Sequence, residues 1–168
     1  MRWWLLRDVP RVGDTDFTPA RLVARTNGEL AGGIGNLVHR VTSMIHRYRD
    51  GVPPDRADPL PFDTRAVDDA IEDFDLRKAS GVVWAYVTEA NRYANRTRPW
   101  AADPPARDVA LSTLLATCRT LATELAPFLP ATAAGIERRC TSAGGRLPIP
   151  EQLIESLDLA TAGPSGVV

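Results

Sequence analysis

The sequence predicts an all-α protein, a helical bundle of about five helices, and three observations carry that expectation. No stretch alternates apolar and polar residues in the manner of a strand. Apolar residues instead recur at helical spacing: Leu30, Ile34, Leu37, Val41, Met44, Ile45 and Tyr48 in one run, and Leu111, Leu114, Leu115, Cys118, Leu121, Ala122 and Leu125 in another. Proline-rich breaks, RDGVPPDRADPLP, TRPWAADPPARD and PFLP, separate the helical runs.

In order, Arg2 to Arg7 reads as one or two helical turns, ended by DVPRVGDTDF. Thr18 is placed to cap the next helix, with Pro19 at its first position. The periodic run from Leu30 follows, and Pro53, Pro54, Pro59 and Pro61 break it off. FDTRAVDDAIEDF reads as a short amphipathic helix. Asp75 can cap a helix reaching about Arg96, and after the run around Leu115 a last helix covers about Ala131 to Ser142. SAGGRLPIPEQLIESLD reads as a compact tail. Residues 1–158 are thus expected to form one helical domain, with 159–168 disordered.

At 168 residues, 44% hydrophobic and 24% charged, the chain has the balance of a globular fold. Its net charge of −1 argues against a protein that wraps duplexes, so no DNA partner is expected and any nucleic-acid contact should be local. Lys78 is the only lysine among 20 basic residues. That bias suits planar recognition by Arg, and fits a GC-rich genome equally well. Cys118 and Cys140 have no metal-ligand spacing, and Cys118 falls in an apolar stripe, as a buried thiol in a reducing compartment would. No apolar run nears the ~20 residues of a membrane span. MRWWLLRDVPR lacks the long apolar core of a signal peptide, so the expected location is cytoplasmic.

The most informative stretch is GELAGGIGNLVHR. Gly28, Gly32, Gly33 and Gly35 lie within a helical run, where each interior glycine costs roughly 1 kcal/mol relative to alanine. On a helical wheel, Asn36, Arg40, Ser43 and Arg47 form a stripe at the edge of the buried face, flanked by Gly32 and Gly33. Asn36 and Arg40 are i, i+4 neighbours that project together. An amide and a guanidinium suit the edge of a nucleobase. The plainer alternative, which helix physics alone favours, is that Gly32 and Gly33 only let another helix pack closely. Trp100, after Pro99 in a proline-rich loop, is either a lid over the core or a platform on which a base stacks.

Nothing else points to chemistry. His39 and His46 are seven apart, too far along one helix to share a metal unaided, and read as solvated. GGIGNL completes neither dinucleotide nor phosphate-loop pattern. Asp68, Asp69, Glu72 and Asp73 read as a solvated face, and Trp84 as core. No catalytic residue, metal site or cofactor is expected.

Three separated segments, RWWLLRDVPRVGDTDFTPARLVARTNGELAGGIGNLVHRVTSMIHRY, ANRYANRTRPW and GGRLPIPEQLI, resemble the C-terminal anticodon-binding domain of methionyl-tRNA synthetases, in that family's order. In the family, the N-L-x-x-R residues and the Trp of a P-W pair read the CAU anticodon. The resemblance therefore implies that Asn36 and Arg40 hydrogen-bond to base edges and Trp100 stacks on an anticodon base, with Gly32, Gly33 and Arg47 in support. It implies a methionine-type, CAU-anticodon tRNA as partner. The departures are as informative. No H-x-G-H and no K-M-S-K-S occurs, so the chain is expected not to aminoacylate by itself, and Gly32 and Gly33 stand where the family has bulkier or polar residues. The chain is either a free-standing paralogue of the domain or a fragment, the initial Met favouring the former.

Two functions follow from this. One is a tRNA-binding module, serving a separate catalytic chain. The other is a protein-interaction or regulatory subunit of a repurposed synthetase-like enzyme, without tRNA binding. The segment Trp3, Trp4, Leu5 and Leu6 would discriminate between them, since an exposed aromatic patch there would favour a protein partner or self-association.

Overall fold

The computed structural model describes residues 1–10 and 12–158, so the expected disordered tail lies outside the described residues. These contain seven α-helices: α1 (Arg2–Asp8), α2 (Pro19–Arg25), α3 (Asn36–Arg49), α4 (Thr64–Glu72), α5 (Leu76–Thr97), α6 (Pro104–Leu125) and α7 (Pro130–Cys140). A π-helical segment, Thr26–Gly35, joins α2 to α3, so the backbone winds from Pro19 to Arg49 without a break. The all-α expectation holds, and the described residues include no strand, only an isolated bridge between Ala143 and Arg146. The five expected helices are the continuous run from Pro19 to Arg49 and α4 to α7, and the one or two turns read at Arg2 to Arg7 form the short helix α1.

The expected caps are in place. Thr18 Oγ1 accepts from the Arg21 amide, with Pro19 leading α2, and the Asp75 carboxylate accepts from the Lys78 amide at the head of α5. The core lies between α3, α5, α6 and α7, and Leu37, Ile45, Leu111, Leu114, Leu121 and Ile136 are fully buried in it. Cys118 and Cys140 meet across α6 and α7 as buried free thiols. The hydrogen bond between them, with burial, holds the Cys118 thiol well above its usual range.

Both tryptophans of α1 are buried, Trp3 at 2% and Trp4 at 3% exposure, so the exposed aromatic patch envisaged for this segment is not there. One small core could not take both, but adjacent helical positions point about 100° apart, and the two rings enter different places. Trp3 packs edge-on against Trp84 of α5, with centroids 6.1 Å apart, and its indole N–H donates to Glu29 at 2.6 Å. Trp4 packs edge-on against Phe17 at 5.0 Å, under the strand-like approach to α2.

Around the Trp3 indole lies a charged cluster joining α1 to the long helix. Arg25 reaches both Asp8 oxygens, at 2.8 and 2.7 Å, and Glu29 at 2.7 Å, while Arg7 holds Glu29 at 3.3 Å. The Arg25 hydrogen bond draws the Asp8 carboxyl below its ordinary range. A carboxyl whose folded value is lowered stabilises the fold above its unfolded value, about pH 4, and that stability is lost as pH falls through the folded value. The urea midpoint of the wild-type chain should therefore drop as pH falls below about 4. Asp8→Asn should lower the midpoint at neutral pH and flatten that acid-side decline. An unchanged acid slope in Asp8→Asn would show that Asp8 makes no such contribution.

Candidate functional site

The glycines find their explanation in the π segment. A π turn closes i to i+5 and is wider than an α turn; the Asn36 amide accordingly donates to the Ala31 carbonyl. In this geometry a Cβ on Gly32 would lie 3.0 Å from the Asn27 carbonyl oxygen, and one on Gly35 would lie 3.0 Å from that of Leu30, each five residues earlier. Glycine removes both contacts. Gly33 has a different neighbour, because a Cβ there would lie 2.2 Å from Trp84 Cη2 and 3.1 Å from Cζ2. Gly33 is thus a packing glycine, the plainer of the two readings. The wheel put it beside Asn36 because it assumed an α period through residues that wind more slowly.

Beyond the π segment, α3 carries Asn36, His39, Arg40, Ser43 and Arg47 along its outer edge. Trp100 comes to this edge from the turn between α5 and α6. That turn is held firmly. Arg98 closes α5 in the left-handed conformation, with φ of 44°, and its carbonyl accepts from the Ala101 and Ala102 amides at 2.8 and 3.1 Å. The Arg107 guanidinium donates to the Pro99 carbonyl at 3.0 Å and the Ala102 carbonyl at 2.6 Å, and lies 4.1 Å from the Tyr48 ring centroid. Tyr48 in turn donates to the Trp100 carbonyl at 3.4 Å. Pro99 is buried while the Trp100 side chain, at 40% exposure, stands out over α3.

Arg40 and Trp100, picked out from sequence 60 residues apart, meet here. The guanidinium carbon lies 5.2 Å from the indole centroid, and Nη2 donates to Asn95 Oδ1 at 3.4 Å. With His39, Ser43, Met44, Arg47 and Tyr48 they line an open groove of about 370 Å³. Asn36 is not in it. It lines a neighbouring groove of about 420 Å³ with Asn27, Gly32, His39, Gln152 and Ser156, and His39 forms the shared wall. Neither groove has a carboxylate among its lining residues, although the chain as a whole is slightly acidic. Among the described residues no group of His, Cys, Asp and Glu could hold a metal, and no helix is long and apolar enough to cross a membrane.

His39 is exposed, as expected of a solvated histidine, and lines both grooves. His46 was misread as simply solvated, since its Nε2 lies 3.1 Å from the Leu147 carbonyl and 2.9 Å from that of Pro148 and fastens the tail to α3. The tail is fastened again at its far end, where the Asn27 amide donates to the Leu157 carbonyl at 2.9 Å and accepts from the Leu157 amide at 2.7 Å. Between those points it passes beside Asn36. No local signal in the sequence places Gln152 or Ser156 there.

Comparison with known proteins gives this helical domain the fold class of the helical domain of class I aminoacyl-tRNA synthetases. Residues 1–42 match the family model described as tRNA synthetases class I (M). The methionine–tRNA ligase of Halalkalibacterium halodurans is 33% identical over 145 residues, covering 77% of this chain and 22% of the ligase. That of Streptococcus pneumoniae is 34% identical over 152 residues, covering 81% of this chain and 23% of the ligase. The crystal structure of the free Mycobacterium tuberculosis methionyl-tRNA synthetase superposes on 94% of this chain and 38% of its own with a TM-score of 0.78, at 23% identity. The chain is therefore homologous to methionyl-tRNA synthetases and has the fold of their helical domain. It spans between 17% and 23% of the length of the ligases it matches.

Proposed function

We propose that the chain is a tRNA-binding module that recognises a CAU anticodon loop and does not itself catalyse aminoacylation. The observation that carries this reading is the meeting of Arg40 and Trp100 at a groove without carboxylates. Unpaired loop bases are recognised by stacking on aromatic or guanidinium planes and by hydrogen bonds to their edges. Trp100 offers an indole face and Arg40 a planar donor fork, while Arg47 adds positive charge for the backbone. Asn36, with no side-chain hydrogen bond among the described residues, offers both a donor and an acceptor to a base edge one turn away. Methionine activation falls to a separate catalytic region, because the motifs for it are not in this sequence.

The test is binding of RNA stem-loops with CAU and altered anticodons at fixed, stated salt. The chain should prefer CAU, and Asn36→Ala and Arg40→Ala should each weaken binding and erase the preference, since base edges carry sequence and phosphates do not. The same preparation should show no methionine-dependent ATP–pyrophosphate exchange above a buffer control. Equal binding of CAU and altered loops would refute the recognition, and measurable exchange would refute the non-catalytic assignment. An exposed Trp3–Trp4 patch would have favoured the alternative of a protein-interaction subunit, and both rings are buried.

A further inference from the structure

We infer that the groove between α3 and the tail is a second nucleotide subsite, in which Gln152 and Ser156 help to read the loop nucleotide next to the one stacked on Trp100. The inference rests on the tRNA-binding reading above and adds to it residues of the tail, to which the resemblance assigns no role in reading the anticodon. Three observations support it. The groove adjoins the Trp100 groove through His39, about one helical turn, 5.4 Å, along the same face. Neighbouring nucleotides of an unstacked single strand can bridge such a step.

The lining has the chemistry of a base or ribose site rather than a phosphate site. It is built from amides, a hydroxyl and an imidazole, with no Arg or Lys and no carboxylate. Among the described residues Asn36, His39 and Ser156 spend no side-chain hydrogen bond on the protein, so a donor–acceptor amide, a ring nitrogen pair and a hydroxyl line one concave space unengaged. Asn27 behaves differently, because both ends of its amide are taken by the Leu157 backbone. It sets the wall and leaves the reading to its neighbours. At about 420 Å³ the groove falls in the range of small-ligand sites. Gly32 is among its lining residues.

The experiment uses the full chain and a CAU stem-loop in which each loop nucleotide is made abasic in turn. With wild-type protein, removing the base that sits over Trp100 should cost most, and removing one neighbouring base should weaken binding by about five-fold. In the Gln152→Ala/Ser156→Ala double variant the intact loop should bind more weakly by up to about five-fold, and that neighbouring abasic site should cost clearly less than in wild type, the remainder resting on Asn36 and His39. Both residues are exposed, Ser156 has no side-chain partner among the described residues, and the Gln152 amide donates only to the Ile154 carbonyl two residues on, at 3.2 Å, so the melting temperature should stay close to that of wild type. A double variant that binds the intact loop as wild type does, or that keeps the full abasic penalty, overturns the subsite and leaves the Trp100 site standing. Failure of wild-type protein to hold any CAU loop overturns both.

Discussion

Replacing Trp100 with Ala is expected to weaken binding of a CAU stem-loop about ten-fold or more. A stacking aromatic contributes roughly 1–3 kcal/mol per base, and each 1.4 kcal/mol is a factor of ten. The loop bearing Trp100 is held by Arg107 and Tyr48 through its carbonyls, so the ring can be removed without releasing the backbone. Trp100→Phe should recover part of the loss, because a smaller face still stacks. Arg40→Lys separates the two partners. It keeps the charge but loses the planar fork above the indole, so the CAU preference should fall more than the affinity. Measured affinities within two-fold of wild type for Trp100→Ala would mean that no base stacks there.

The largest expected effect on stability is at Gly33. Even an alanine Cβ would press into the benzo edge of Trp84, at 2.2 Å from Cη2. That ring is braced on its other side by Trp3, and Trp3 by Glu29, so displacement would disturb the join between α1 and the long helix. Overpacking of this kind costs about 1–3 kcal/mol, a fall in melting temperature on the order of 5 °C for a domain this size. Gly33→Ala should be rescued in part by Trp84→Leu, which removes the obstructing ring, whereas neither single variant should match wild type. Gly28 has open space around it, so Gly28→Ala serves as the control and should leave the melting temperature nearly unchanged. A Gly33→Ala chain as stable as wild type would place the glycine's purpose elsewhere.

Local chemistry was readable from the sequence. Thr18 and Pro19, and Asp75 before α5, satisfy backbone amides within a few residues of themselves, so their roles need no knowledge of the fold. The stripe from Asn36 to Arg47 was readable because α3 keeps the α period. The wheel failed where the period changed, at Gly33, although the glycines were the visible sign that something other than an ordinary helix was present. The burial of Trp3 and Trp4 was left open by the sequence, because the rings that receive them, Trp84 and Phe17, belong to two different parts of the fold. His46 and the walls supplied by Gln152 and Ser156 depend on partners about a hundred residues distant, and no spacing rule reaches that far.

The Asn27–Leu157 clamp joins residues 130 positions apart, and this fixes an order of events during synthesis. A ribosome making this chain lays down Asn36, Arg40 and then Trp100 well before it reaches Gln152. The Arg40–Trp100 contact can therefore form on the nascent protein as soon as α5 and the head of α6 have emerged. The groove beside Asn36 has only one bank until Leu157 has been made and reaches Asn27, drawing the tail across. Of the two adjoining grooves, the one at Trp100 can therefore assemble earlier in synthesis than the one at Asn36.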